Sequence, residues 1–546
     1  MQKAFSGEYI IQDDARQHVF WMGRFLDPEL FPKDIIADYF QSVAPPGYTA
    51  LYHFMATLGI EPVVLSKLLP LILGLITTAY CFGLCLQLFP IPLSGFIAAQ
   101  LLNQNLWMQD GFTSGTPKAF LYPLFLAFLY YLLKRSQIPC TIVIALLGLF
   151  YPSLVFICAG VLILQLWHIE QGKLYLTKNR KDYIRCATGL GVILLVLLFY
   201  ALSSSEFGPV ITAAEAKTLP EFSAKGRSSF FNDDTWRFWF NASRSGIRFT
   251  SALMPPLVYA GLLLPILLRF SLSFPLAKKI NSNIIVLPQL ILASFTVYFA
   301  AHALIFKLHL PSRYTQHTLR MVMVLAASIA LTMMLDAMFC WAGSRQIKPK
   351  NFVSSLQVSR LGALASSIVL VTTLILYPAS LKSFPWTGYI IGQEPKLYEF
   401  FQKQPKDSLI ASLSEEVNNL PTFSQRSILV GSEYAIPYHV GYYHPFRQRI
   451  LELIQAQYSP NLGDAQNLIQ KYGIDFWMFD RTAFTPDYID NNSWLEQFEP
   501  AADALTKLHQ GSILALSKVS QSCTVFETDN LVVLQADCIV KTHNVQ

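Results

Sequence analysis

Ten apolar runs, each near the length that crosses a bilayer, occupy most of the first 381 residues, and they decide what this chain can fold into. They lie at roughly 63–87, 90–107, 119–133, 138–168 (counted as two), 184–202, 251–270, 284–306, 316–341 and 359–381. A run of about 17–25 apolar residues spans the hydrocarbon as a helix, and a helix satisfies every backbone polar group internally. Charged residues make up only 14% of the chain against 53% hydrophobic ones, where a soluble domain carries about 25% charged. The stretch 138–168 is too long for one crossing, and Tyr151-Pro152 interrupts its helical hydrogen bonding. It therefore divides into two short helices. No cleavable signal peptide is visible in the first 20 residues.

Loop charge sets the expected orientation. The loops at 134–137, 169–185, 269–283 and 342–360 carry fourteen Lys and Arg, including Lys134, Arg135, Lys181, Arg185, Lys278, Lys279, Arg345 and Lys350, against two acids, Glu170 and Asp182. The alternate loops at 108–118, 203–250 and 307–317 are longer in total yet carry nine basic residues and six acids. Basic loops stay cytoplasmic, so the N-terminal segment, the alternate loops and the C-terminal region are expected outside. A chain that begins outside implies a first membrane helix upstream. The net charge of +6 is expected to serve orientation.

Three regions follow. Residues 1–62 read as a first outer loop with two interfacial helices, rich in Phe20, Trp21, Phe25, Phe31, Tyr39, Phe40, Tyr48 and Tyr52. Residues 63–384 form the transmembrane helical domain, with a long outer loop at 203–250 that reads either as an interfacial loop with snorkelling side chains or as a lid over a lipid-phosphate pocket. In residues 385–546, short β-like runs at 409–413, 427–431 and 474–479 alternate with helical patterns at 446–457, 463–472 and 493–509, which predicts a small extracytoplasmic α/β domain. The fold class is thus mainly α: a polytopic membrane protein with about ten transmembrane helices and a C-terminal extracytoplasmic α/β domain. Six cysteines fall in or beside membrane helices and read as small apolar residues. Cys523 and Cys538 flank a hairpin with its turn near Asp529-Asn530 and are candidates for a disulfide. No CxxC pair or HExxH occurs.

Candidate chemistry collects on the outer side. Asp13 and Asp14 in Gln12-Asp13-Asp14-Ala15-Arg16-Gln17-His18, Asp110, Lys118, the basic residues of 203–250 and Arg313 share that face. Taken alone, an Asp-Asp pair also reads as a loop feature or helix cap, Asp110-Gly111 as a turn and Arg313 as an interface anchor. Together they suit glycosyl transfer from a lipid phosphate. An acid removes the acceptor proton, and basic residues stabilise the departing phosphate. In extended chain, Asp13 and Asp14 would point opposite ways and take different roles. The membrane runs look nearly free of charge, with Lys67 and Asp336 as the main exceptions, which favours an enzyme over a transporter.

The order of parts resembles the GT-C superfamily of polytopic glycosyltransferases, and DDARQHVFWM resembles a poorly characterised bacterial membrane family. The resemblance implies a polyprenyl-phosphate sugar donor and a cell-envelope enzyme of the inner membrane. It implies catalytic acids at Asp13 and Asp14, a second-loop acid at Asp110 in WMQDGFTSGTPKAF, and donor-phosphate binding by Arg313 in LPSRY; beside it, Lys118, Arg227, Arg244 and Tyr314 are candidates for the same phosphate from the shared outer face. A divalent cation, Mg or Mn, is the one cofactor to consider, with Asp13, Asp14 and Asp110 as its ligands. The expected partners are membrane lipid and the donor, with no nucleic acid. The alternatives are a transporter or flippase of lipid-linked glycans and a non-catalytic GT-C-like scaffold.

Overall fold

The computed structural model describes residues 2–170, 173–203, 206–343 and 360–542. All ten apolar segments contain helix. Five helices are long and apolar enough to cross a membrane: Pro62–Leu88, Arg180–Leu202, Ser282–Ala303, Ser312–Cys340 and Leu361–Ser380. Shorter apolar helices lie at Pro117–Leu133, Gln137–Phe150, Pro152–Leu164 and Pro256–Arg269, and another at Pro92–Trp107. Proline opens several of them, at Pro62, Pro92, Pro117 and Pro256, where the missing N–H has no helical partner to lose. Tyr151-Pro152 divides the long apolar stretch, as its proline requires.

The helix starting at Ser312 is the axis of the bundle. Its apolar span is 78% buried, whereas Arg180–Leu202 and Leu361–Ser380 are 22% and 17% buried and lie at the periphery. Small residues Ala326, Ala327, Ser328 and Ala330 let neighbours approach it closely. Gly261 is the tightest such approach: a Cβ there would sit 2.7 Å from the Met323 carbonyl oxygen.

Beyond the last membrane helix the chain forms a five-stranded sheet in the order Ser427–Ile428, Leu409–Ser412, Phe476–Asp480, Leu531–Gln535, Thr524–Glu527. The first three strands are parallel, and the last two run antiparallel to their neighbours. Helices Val440–Gln457, Leu462–Tyr472 and Glu499–His509 pack with it. Cys523 and Cys538 form a disulfide across the ends of the terminal hairpin.

This C-terminal region ties together segments distant in sequence. Strand Ile10–Gln12 pairs antiparallel with Tyr389–Ile391, with Ile11 opposite Ile390. The 203–250 loop folds onto the same region: Glu221 accepts from Tyr443 and Arg447, both at 2.8 Å, and Arg227 pairs with Glu433 at 3.1 Å. Phe222 and Phe230 bury with Phe306 and Leu310 in a small apolar cluster of their own. Phe222 and Phe230 thus fold this part of the loop against protein, while Trp236 stays exposed. At the opposite end, Arg135, Asp182, Arg185 and Asn283 converge around one small cavity. Arg345, Lys348 and Lys350 of the fourth basic loop lie outside the described residues.

Gly261→Ala is expected to destabilise the detergent-solubilised protein by about 1–3 kcal/mol through overpacking. Gly191→Ala, at a lipid-facing position where the new Cβ meets nothing within 4 Å, should leave stability unchanged or raise it. Equal melting temperatures for the two variants would contradict this packing.

Candidate functional site

Asp13 and Asp14 open the helix Asp13–Val19. They stand in its first turn, not in extended chain, so their side chains diverge by the helical step of about 100° per residue. Acids suit this position because the helix start is electropositive. The turn is pinned on both sides. The Gln12 side chain accepts from the Ala15 N–H at 3.1 Å, and the Asp13 N–H donates to the Gly388 carbonyl at 3.0 Å.

The two acids meet different partners. Arg16 donates to Asp13 at 2.8 Å and to Asn419 at 2.8 Å, and it lies 3.5 Å from Glu433. Lys118 donates to Asp14 at 2.8 Å. Burial and the nearby Glu433 carboxylate raise the Asp13 pKa against the pull of Arg16. Burial also works to raise Asp14, but Lys118's charge and hydrogen bond, with His18 and Arg313, outweigh it and lower its pKa. Asp14 is therefore the more firmly ionised member of the pair.

Lys118 also lines a cavity of about 230 Å³ whose other cations are Arg244, Arg248, Arg313 and Arg320. No carboxylate is among its described lining residues. Lys118 and Tyr122 come from the first turns of Pro117–Leu133, and Arg313, His317 and Arg320 from the start of the axial helix. Arg244 and Arg248 arrive on the end of the 203–250 loop, which is tethered there. Ser312 donates through its N–H to the Arg244 carbonyl at 3.1 Å and through its hydroxyl to the Ser243 carbonyl at 2.8 Å. Tyr298 and His302 both donate to the Ser245 carbonyl at 2.9 Å. Arg248 adopts φ +61°, an uncommon conformation for a residue with a Cβ. Burial and the charges of Arg313 and Arg320 lower its pKa.

The structure thus brings Asp14, Lys118, Arg244 and Arg313 together. It places Arg227 elsewhere, on Glu433. Tyr314 is buried, with its hydroxyl on the Leu308 carbonyl at 2.5 Å. Asp110 opens a short turn at Asp110–Phe112, and its side chain lies outside the described residues. Two lining cations go beyond the individually named phosphate ligands: Arg248, one of the basic residues of the 203–250 loop, and Arg320, which is not singled out from sequence. Arg320 corrects the count of charges in the membrane runs: it sits two turns into the axial helix, is 2% exposed, and donates to Gln109 at 2.7 Å and to the Tyr122 hydroxyl. Its Nε has no partner among the described residues. A single Arg inside a long apolar run is a signal in itself.

The described residues do not form a metal cage. No group of three or more His, Cys, Asp or Glu side chains converges among them, and the Asp13 and Asp14 carboxylates already hold Arg16 and Lys118.

No protein-family model and no curated protein sequence matches the chain. Among solved structures it is similar to the apo oligosaccharyltransferase of Archaeoglobus fulgidus, with a TM-score of 0.54 at 11% identity over 92% of this chain and 70% of that one. The same enzyme tethered to an acceptor peptide containing the NVT sequon gives 0.49 at 11% identity over 91% and 68%. Its complex with an inhibitory peptide and a dolichol-phosphate gives 0.49 at 12% identity over 91% and 68%. The similarity to the apo enzyme is one of fold: the chain shares the GT-C-type architecture of a membrane oligosaccharyltransferase.

His18 supplies a pH test of this site. Burial, helped by Lys118, pulls it down to about 4 against the attraction of Asp14. The unfolded chain takes up the His18 proton near pH 6.5, so between about pH 6.5 and 4 the unfolded state holds more protons and stability falls as pH drops. The full contribution is on the order of 3 kcal/mol. Melting temperature measured from pH 7 to 4.5 should fall less steeply in His18→Gln than in the parent, and identical slopes would refute the assignment.

Proposed function

We propose that this GT-C-like chain is a membrane glycosyltransferase that moves a sugar from a polyprenyl-phosphate-linked donor to an acceptor on the extracytoplasmic face. The observation that carries the reading is the Lys118 ammonium. It holds the Asp14 carboxylate at 2.8 Å and also lines a cavity with four arginines. An acid and an anion site joined through one side chain are what transfer from a lipid phosphate requires. The disulfide supports the same face, since disulfides persist in oxidising compartments.

The chemistry follows from shared use of Lys118. Before donor binding, Asp14 is held ionised and poorly basic by Lys118. A donor phosphate in the cavity competes for the ammonium, which loosens its grip on Asp14 and raises the carboxylate's basicity. Asp14 then accepts the acceptor's O–H or N–H proton while the acceptor atom bonds to the anomeric carbon. The bond from that carbon to the phosphate oxygen breaks, and the lipid phosphate leaves with the electron pair. The arginines stabilise the developing charge in a site already arranged for it. Asp13, paired with Arg16, which also reaches Glu433, positions the helix start that presents Asp14. The domain limits 1–62, 63–384 and 385–546 accompany this reading, with the C-terminal region as the platform for the acid-bearing helix.

Purified protein in lipid, supplied with polyprenyl-phosphate and polyprenyl-diphosphate sugars, should transfer or release sugar. Asp14→Asn should lower the rate about 10²–10⁴-fold, and Asp13→Asn less. Undiminished turnover in Asp14→Asn would sink the role given to that acid. Movement of the donor across vesicles without turnover would favour a flippase, a reading to which the buried Arg320 also lends itself. For orientation, single cysteines at positions 225 and 181 in a background lacking Cys340 should label from outside and inside respectively. The opposite pattern would invert the topology.

A further inference from the structure

The cavity holds more free cationic hydrogen-bonding capacity than one phosphate diester can use. Of its five cations, Lys118 is engaged with Asp14, and Arg320 spends both terminal nitrogens on Gln109 and Tyr122. Among the described residues Arg244 commits only its Nε, to the Tyr438 hydroxyl at 3.0 Å, and both its terminal nitrogens have no partner there. The Arg248 and Arg313 side chains have no hydrogen-bond partner among the described residues, and neither has an ion-pair partner there. Three guanidinium forks therefore face one space. Each fork is built to take a pair of oxygens from one anion.

Charge points the same way as geometry. A lipid–phosphate–sugar diester carries a single negative charge and two non-bridging oxygens. The corresponding diphosphate carries two charges and four such oxygens. The Asp14 carboxylate offsets one of the five lining cations, through Lys118. The remaining four are crowded and without a carboxylate among the described lining residues. A monophosphate would leave two forks unused and most of the repulsion in place. A diphosphate occupies the forks and removes more of it.

We propose that the cavity is a diphosphate site, so that the donor is a polyprenyl diphosphate sugar with its two phosphates spread across Arg244, Arg248 and Arg313. This rests on the glycosyl-transfer reading for the identity of the lipid, and it sharpens the donor class within that reading. The phosphate nearer the sugar lies toward Lys118, where it can compete with Asp14 for the ammonium.

The test uses the full chain in lipid nanodiscs with EDTA present, and calorimetry with inorganic pyrophosphate and inorganic phosphate. Pyrophosphate should bind about tenfold or more tightly than phosphate. Arg248→Gln and Arg313→Gln should each weaken pyrophosphate about tenfold and phosphate by less than about threefold. Arg481→Gln, a surface variant in the C-terminal region, should change neither, and melting curves establish that each variant is folded. Equal affinity for the two anions, equal losses for both in the arginine variants, or no binding of either would overturn the proposal. Polyprenyl diphosphate should displace bound pyrophosphate at lower concentration than polyprenyl phosphate does. Failure to displace it would overturn the lipid source. Turnover with the monophosphate-linked sugar alone would refute the diphosphate donor while leaving glycosyl transfer intact. Arginine-dependent pyrophosphate preference and displacement by polyprenyl diphosphate, without turnover, would uphold the site and remove the transferase reading instead.

Discussion

Five like charges meet around one small space at the start of the axial helix, and among the described residues one carboxylate, Asp14, reaches one of them. Coulomb repulsion between unit charges several ångströms apart near a protein surface amounts to a few kcal/mol per pair. The fold must supply that energy from elsewhere. It does so by clamping the backbone that carries the charges: the Ser243–Ser245 stretch is held by Ser312, Tyr298 and His302. Arg320 is built into a helix whose apolar span is 78% buried. Backbone bonds hold the stretch that brings Arg244 and Arg248, so the terminal nitrogens of Arg244 and the side chains of Arg248 and Arg313, which have no partner among the described residues, stay available to an anion.

The acid enters this site from a separate direction and by separate means. Asp14 sits on a seven-residue helix too short to hold its place alone. Its position derives from the pairing of Ile10–Gln12 with Tyr389–Ile391 and from Arg16 bridging Asp13, Asn419 and Glu433. Arg227 on Glu433 adds the 203–250 loop to the same junction. The C-terminal region thus shapes the site, with none of its residues among the described cavity lining, by fixing the two segments that bring the acid and two of the arginines.

Much of this was legible in the chain. Apolar length and loop charge locate the ten helical segments and group the N-terminal acids, Lys118 and Arg313 on one face, because bilayer thickness and backbone satisfaction leave few options. The alternation after residue 385 marks the sheet strands, and the Cys523–Cys538 spacing marks the hairpin. Residue roles were less legible. Arg227 and Arg244 lie in the same basic loop and look alike in sequence, yet one closes an ion pair with Glu433 and the other lines the cavity. The difference depends on partners distant in sequence, Glu433 and Tyr438. Arg320 hid inside an apolar run whose average hydropathy masks a single charge. Asp13 and Asp14 read as extended chain because the local pattern gives no sign of the strand at 389–391 that ends just where their helix must begin.

Sequence alone therefore determined that this chain is a helical membrane protein with acids and cations gathered on one face, since hydrophobic length and charge asymmetry act locally and additively along a chain. Only the tertiary structure decided which cations share a cavity and which acid touches one of them. Those are contacts between residues as far apart as Asp14 and Lys118, or Ser312 and Arg244, and a hydrogen bond depends on distances of a few tenths of an ångström that no linear pattern encodes.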